Sequence, residues 1–179
     1  MGEPFALYLH VPWCRHVCPY CDFNVYPAAH VRHADYAATV AGELAAWSAG
    51  PPWAGRQAKS IYLGGGNPSL LSTAAGTEIV TRGGTTFGLT VGAEVTLEVN
   101  PGTVSFASLA GYRAAGVNRL SLGAQSFHAA HLPTLGRDHR PDETRRAVEA
   151  ARGAGFGNVS LDLIFGVPGQ TLADCEADV

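Results

Sequence analysis

Five short runs of the chain, Phe5 to His10, Ser60 to Leu63, Ala93 to Val99, Val117 to Leu122 and Asn158 to Phe165, read as strands, and each stops at a loop dense in Gly, Pro or Cys. Helical stretches separate them: Ala37 to Trp47, ended by Pro51-Pro52; a weak one within 70–90; Ser105 to Ala115, closed by Gly116; Pro141 to Ala154; and one beginning near Thr171. The weak helix carries Gly76, Gly83, Gly84 and Gly88, which lower its propensity. Pro141 at a first turn, Asp142 and Glu143 near the positive end and Gly155 past the finish mark the strongest. Strand and helix in alternation predict parallel βαβ units. In a parallel barrel the strand ends converge on one face, so the loops and the polar residues Glu98, Gln125 and Asp162 should line one mouth.

The loop after the first run holds three of the four cysteines, Cys14, Cys18 and Cys21, spaced C-x3-C-x2-C. Clustered thiolates repel and oxidise unless they share metal, and three ligands are one short of closed tetrahedral zinc or of a cubane with four capped irons. One metal corner should stay open. Pro12 and Pro19 keep this loop out of a helix. A structural zinc site with His10 or His16 as fourth ligand is the competing reading, as in a zinc-stabilised binding module, although the spacing follows no common finger pattern. A disulfide is disfavoured, because Cys175 lies far off and reads as a free thiol on a terminal helix.

Composition narrows the function. With 179 residues and 46% hydrophobic content, residues 1–179 can build one globular domain. A net charge of −3 and a single lysine, Lys59, leave no basic footprint for nucleic acid; the arginines from Arg137 to Arg152 are interspersed with acids, as on a solvated helix face. No apolar run approaches a membrane span, and no signal peptide is evident, so a cytoplasmic protein is expected.

The stretch Tyr8-x-His10-Val-Pro-Trp-Cys, continuing into Cys18-Pro-Tyr-Cys-Asp-Phe23, resembles the radical S-adenosylmethionine (SAM) superfamily, and within it the oxygen-independent coproporphyrinogen III oxidases and related heme chaperones. The resemblance implies an α/β fold, a partial (β/α)6 TIM-like barrel, here truncated after the fifth strand with the sixth strand and a C-terminal domain absent. It also implies a [4Fe-4S] cluster on Cys14, Cys18 and Cys21, with one iron open to SAM. The shared chemistry would be reductive cleavage of SAM to a 5'-deoxyadenosyl radical, with an electron donor such as flavodoxin or ferredoxin.

Further roles follow from the same resemblance. Glu98, Gln125, Arg137 and Asp162 fall at SAM-binding positions, Tyr8 and Tyr20 match aromatic contacts beside the cluster, and Gly65, Gly66 and Asn67 match a loop that contacts the methionine amino group. Asn67 departs from the Thr usual there. Each also has a plainer reading: a tight turn for the glycines, a structural acid for Glu98 or Asp162, a solvated loop residue for Arg137. The oxidases typically carry a fourth cysteine two residues past the third, where this chain has Phe23. That favours a heme chaperone, binding and transferring heme, over an oxidase that decarboxylates a porphyrinogen. No role is assigned to His30 or His33.

Overall fold

The computed structural model describes residues 2–179; Met1 lies outside the described residues. In chain order it contains β1 (Phe5–Val11), β2 (Trp13–Cys14), β3 (Tyr26–Pro27), α1 (His33–Ser48), β4 (Ala58–Gly65), α2 (Thr73–Phe87), β5 (Leu89–Val99), α3 (Phe106–Ala114), β6 (Arg119–Gln125), α4 (His131–Thr134), α5 (Pro141–Gly153), β7 (Asn158–Leu163) and α6 (Leu172–Asp178). Strands β1, β4, β5, β6 and β7 form one parallel sheet in that order, the expected βαβ arrangement. The short pair β2 and β3 braces the cysteine loop from the side.

Period-two alternation divides the sheet into two faces. Leu9, Val11, Ile61, Leu63, Val95, Leu97, Val99, Leu120 and Leu122 enter a core with Leu44 of α1, Ile79 and Val80 of α2, Leu109 and Tyr112 of α3 and Ala147 and Ala151 of α5. Each fully buried Leu or Ile there stabilises by about 1.5–3 kcal/mol. The intervening residues, Tyr8, His10, Tyr62, Glu98, Ser121, Ser160 and Asp162, occupy the other face. Register brings Glu98 beside Ser121, and Ser121 beside Ser160.

The glycine-rich helix forms in full over Thr73–Phe87. Packing outweighs propensity there. A Cβ on Gly76 would stand 2.1 Å from the Tyr112 hydroxyl, and one on Gly83 would press on Ile61 and Leu7, so these glycines let α2 approach its neighbours. Ser72 caps the start, its side chain accepting from the Ala75 N–H, and Gly88 closes the end at φ 73°. Several boundaries differ from expectation. Strand β5 begins at Leu89 rather than Ala93, β6 runs on through Gly123 and Ala124 to Gln125, and β7 ends at Leu163, two residues before Phe165. Ladder pairing with neighbouring strands sets these limits, and composition does not record it.

Candidate functional site

The strand ends meet as the alternation requires. One cavity is walled by Cys14, Cys18, Cys21 and Tyr20 of the first loop, Gly65 at the end of β4 with Gly66 and Asn67 after it, Glu98 of β5, Gln125 of β6, Arg137 between α4 and α5, and Asp162 of β7. Tyr8 is the exception among the residues singled out: it sits on the same sheet face, stacked on Tyr62 with centroids 6.0 Å apart, but outside that cavity.

The cysteine loop is tied down by its backbone. Tyr26 N–H donates to Pro12 C=O at 2.7 Å, Ala28 N–H to Cys14 C=O at 3.0 Å, and Cys21 N–H to Cys18 C=O at 3.0 Å. The glycine loop is stitched to it in turn, Gly66 N–H to Val11 C=O at 2.7 Å and Asn67 N–H to Trp13 C=O at 2.8 Å. Gly66 leaves no room for a side chain, since a Cβ would meet Trp13 O at 2.7 Å and Cys14 Sγ at 3.0 Å, and Gly65 sits at φ 118°. All three thiols are free and partly buried. Burial first, then the charges of Cys21 and Cys18, push the Cys14 thiol up to about 11, with Arg137 pulling the other way. Thiolates this close need a shared cation to lose their protons. The donor set and the clearance beside it fit an iron-sulfur cluster held by three sulfurs.

The histidines that the zinc reading would use as a fourth ligand are engaged elsewhere. His10 accepts the Tyr8 hydroxyl on Nδ1 at 2.9 Å and donates from Nε2 to Asn24 C=O at 2.8 Å, the tautomer that satisfies both contacts. His16 Nε2 meets the Gly136 carbonyl, which also accepts from Cys18 Sγ at 3.6 Å. Gly136, at φ 68°, lies so near Pro19 that a Cβ would reach Pro19 Cδ at 2.5 Å. That close approach brings Arg137 to the cavity, where Nη2 donates to Gly123 C=O at 3.0 Å and Nε is buried without a partner. An orphaned buried guanidinium nitrogen is costly, and the guanidinium it belongs to borders the cavity, where a carboxylate would offset its charge.

The two strand acids have donors. Glu98 accepts the Tyr62 hydroxyl at 2.8 Å and Gly65 N–H at 3.0 Å; Asp162 accepts the Ser121 hydroxyl at 3.1 Å. Asn67 is buried, its Oδ1 accepting from the Ser69 hydroxyl at 2.6 Å, so its oxygen holds the loop while the residue borders the cavity. Gln125 has a left-handed backbone at φ 65°, uncommon for a residue with a side chain, where the β6–β7 register shifts. Tyr62 and Ser121 escape a reading of the sequence by motif. Their signal is positional: each lies two residues from a loop or acid already marked, on the same strand face.

The family model described as the radical SAM superfamily matches residues 8–179. The heme chaperone HemW of Escherichia coli is 41% identical over 180 residues, covering 98% of this chain and 46% of that protein. That of Haemophilus influenzae is 37% identical over 179 residues, covering 98% and 47%. Among solved structures, the radical SAM enzyme coproporphyrinogen III oxidase (HemN) from Escherichia coli superposes with a TM-score of 0.86 at 29% identity, covering 98% of this chain and 40% of that one. The chain thus spans less than half the length of these relatives.

Proposed function

We propose a function from one premise: the chain belongs to the radical SAM superfamily. The reading is that Cys14, Cys18 and Cys21 hold a [4Fe-4S] cluster, that SAM lies across the strand ends, and that the protein is a heme chaperone of the HemW type. One observation carries the first two parts: three free thiols share a cavity with Gly66, Glu98, Gln125, Arg137 and Asp162, which come from five separate segments of the chain.

When bound, the cluster and SAM supply one-electron reductive cleavage of a sulfonium. This chain's residues do the holding. The glycine loop exposes backbone to the ligand's amino acid end, and Asn67 borders it. Arg137, with Nη2 anchored on Gly123, brings its guanidinium charge to the cavity wall for a carboxylate. Glu98, fixed by Tyr62 and Gly65, presents acceptor lone pairs to a cationic group, and Asp162 presents more on the neighbouring side. Tyr20 and Phe23, both exposed on the loop, help shield the cavity mouth from water.

The chaperone reading rests on the HemW relatives and on Phe23, which stands where the oxidases typically carry a further cysteine. Coproporphyrinogen III oxidation, in porphyrin and heme biosynthesis, is the second reading, favoured by the superposition on HemN. Either use calls for a reducing partner such as flavodoxin or ferredoxin.

Anaerobic reconstitution tests the cluster: the wild type should take up about four irons per chain and show iron-sulfur charge-transfer absorption, both lost in a C14A/C18A/C21A variant. Iron and colour unchanged in that variant, or stoichiometric zinc in place of iron, would refute it. A full-length protein should then bind heme and leave coproporphyrinogen III unchanged; turnover without heme binding would favour the oxidase.

A further inference from the structure

Away from the cysteine loop, the turn after β6 carries two histidines three residues apart, and α6 returns an acid to them. We propose that His128, His131 and Asp174 form a second metal site, for a single divalent transition ion of the zinc class. None of the three borders the cysteine cavity.

The geometry is that of ligands rather than of ion pairs. His128 Nε2 lies 3.7 Å from Asp174 Oδ1 and His131 Nε2 lies 3.5 Å from Asp174 Oδ2. The three donor atoms all fall within 4.8 Å of one another. Charge-assisted hydrogen bonds contract to about 2.7–2.9 Å, whereas a tetrahedral ion with bonds of about 2.0–2.1 Å separates its ligands by about 3.4 Å. Each imidazole stands near that edge length from the carboxylate oxygen facing it, His128 from Oδ1 and His131 from Oδ2. Independently, His131 is buried, only 7% exposed, and its Nε2 has no hydrogen-bond partner among the described residues. A buried ring nitrogen aimed at a carboxylate yet not bonded to it is what an ion between them would satisfy.

The ligands are held in advance. His131 N–H donates to His128 C=O at 3.1 Å, which sets the two rings on one side of the turn, and His128 N–H is fixed by the Ser126 hydroxyl at 3.0 Å. Asp174 is placed by the capping box that starts α6, its Oδ2 accepting Thr171 N–H at 2.9 Å while its own N–H donates to Thr171 Oγ1 at 3.2 Å. Four residues on, buried Asp178 accepts the Ser126 hydroxyl at 2.8 Å and Phe127 N–H, so helix and turn are already docked. Two imidazoles and one carboxylate suit zinc, cobalt or nickel, whereas calcium and magnesium want oxygen alone. The partly exposed side chains of His128 and Asp174 leave a path for the ion and a fourth position for water.

The test uses the chain with its iron already reconstituted, so that the thiols are occupied, equilibrated with zinc alone. One zinc per chain beyond the iron is expected, with a rise in Tm. H128A, and D174N, which keeps the Oδ2 that caps Thr171 and faces His131 but removes the carboxylate charge and the Oδ1 that faces His128, should each weaken zinc binding roughly tenfold or more while retaining their iron and their zinc-free Tm. In a C14S/C18S/C21S background, cobalt should give the visible bands of a tetrahedral nitrogen-oxygen site without thiolate charge transfer. Absence of zinc from the iron-loaded wild type, zinc binding as tight in both variants as in the wild type, or a thiolate-cobalt band from Cys175 would each overturn the proposal. Loss of iron in the first experiment would instead refute the cluster assignment, so the two failures are distinguishable.

Discussion

Oε2 of Glu98 accepts the backbone N–H of Gly65 at 3.0 Å, joining an acid of one strand to the glycine turn that ends its neighbour. Its other oxygen takes the Tyr62 hydroxyl at 2.8 Å. Burial first, then the bond to Glu98, drives the Tyr62 phenol well above its ordinary range, so it stays a donor. The carboxylate therefore shapes the loop as well as bordering the cavity.

Glu98→Gln replaces one acceptor with a donor, leaving Tyr62 O–H or Gly65 N–H opposed. A loss of about 1–3 kcal/mol in urea unfolding is expected. Tyr62→Phe removes one of the same contacts, so the double variant should lose less than the sum of the two. Strict additivity would show that the three groups do not act together.

Gly66→Ala forces a Cβ to within 2.7 Å of Trp13 O, backbone that cannot swing aside, and 3.0 Å of Cys14 Sγ. Iron uptake on reconstitution should fall several-fold. Gly42→Ala in α1, where a Cβ meets nothing within 4 Å, is the matched control and should leave iron unchanged while stabilising by about 0.5–1 kcal/mol. Equal iron in both variants would contradict a cluster seated against Gly66.

Tyr112 is only 1% exposed, and its hydroxyl has no hydrogen-bond partner among the described residues. Removing an orphaned polar atom while keeping the ring should not destabilise, so Tyr112→Phe is expected to match or exceed the wild type by up to about 1 kcal/mol in thermal or urea unfolding. Gly76→Ala, with its Cβ 2.1 Å from that hydroxyl, should be destabilised, and the combination with Tyr112→Phe should recover part of the loss.

His139 is buried, with Nε2 donating to Ala124 C=O at 3.1 Å. Burial, then the neighbouring Arg137 charge, depress its pKa below 6.5, while the Ala124 bond, Asp138 and Glu143 oppose the shift. A depressed histidine means the unfolded chain binds the proton more readily. The stability it contributes is complete above about pH 6.5 and is lost as pH falls through the folded value. Urea midpoints measured from pH 7.5 downward should therefore drop more steeply for the wild type than for His139→Gln. Parallel curves would remove His139 as a cause.

Much of the site was legible because its signals are local. The C-x3-C-x2-C spacing, the glycine loop and the acids within apolar strands are readable one segment at a time, and the parallel order follows from strand-helix alternation. Other features had no local signal. Glycines inside α2 argue against a helix until Tyr112, Ile61 and Leu7 are seen to need the space. Tyr8 looked equivalent to Tyr20, yet only Tyr20 reaches the cavity: Tyr8 lies in the middle of β1, three residues short of its end, and Tyr20 lies between two of the loop cysteines.

By itself the sequence determined what each segment could do: thiols close enough to share metal, turns that only glycine makes, faces set by a period of two. Tertiary structure alone decided which segments meet. Arg137 reaches Gly123, and Asp174 reaches His128 and His131, across separations of 14 to 46 residues. Such contacts depend on how β6, α4 and α6 pack, and packing is a property of the whole core rather than of any stretch within it.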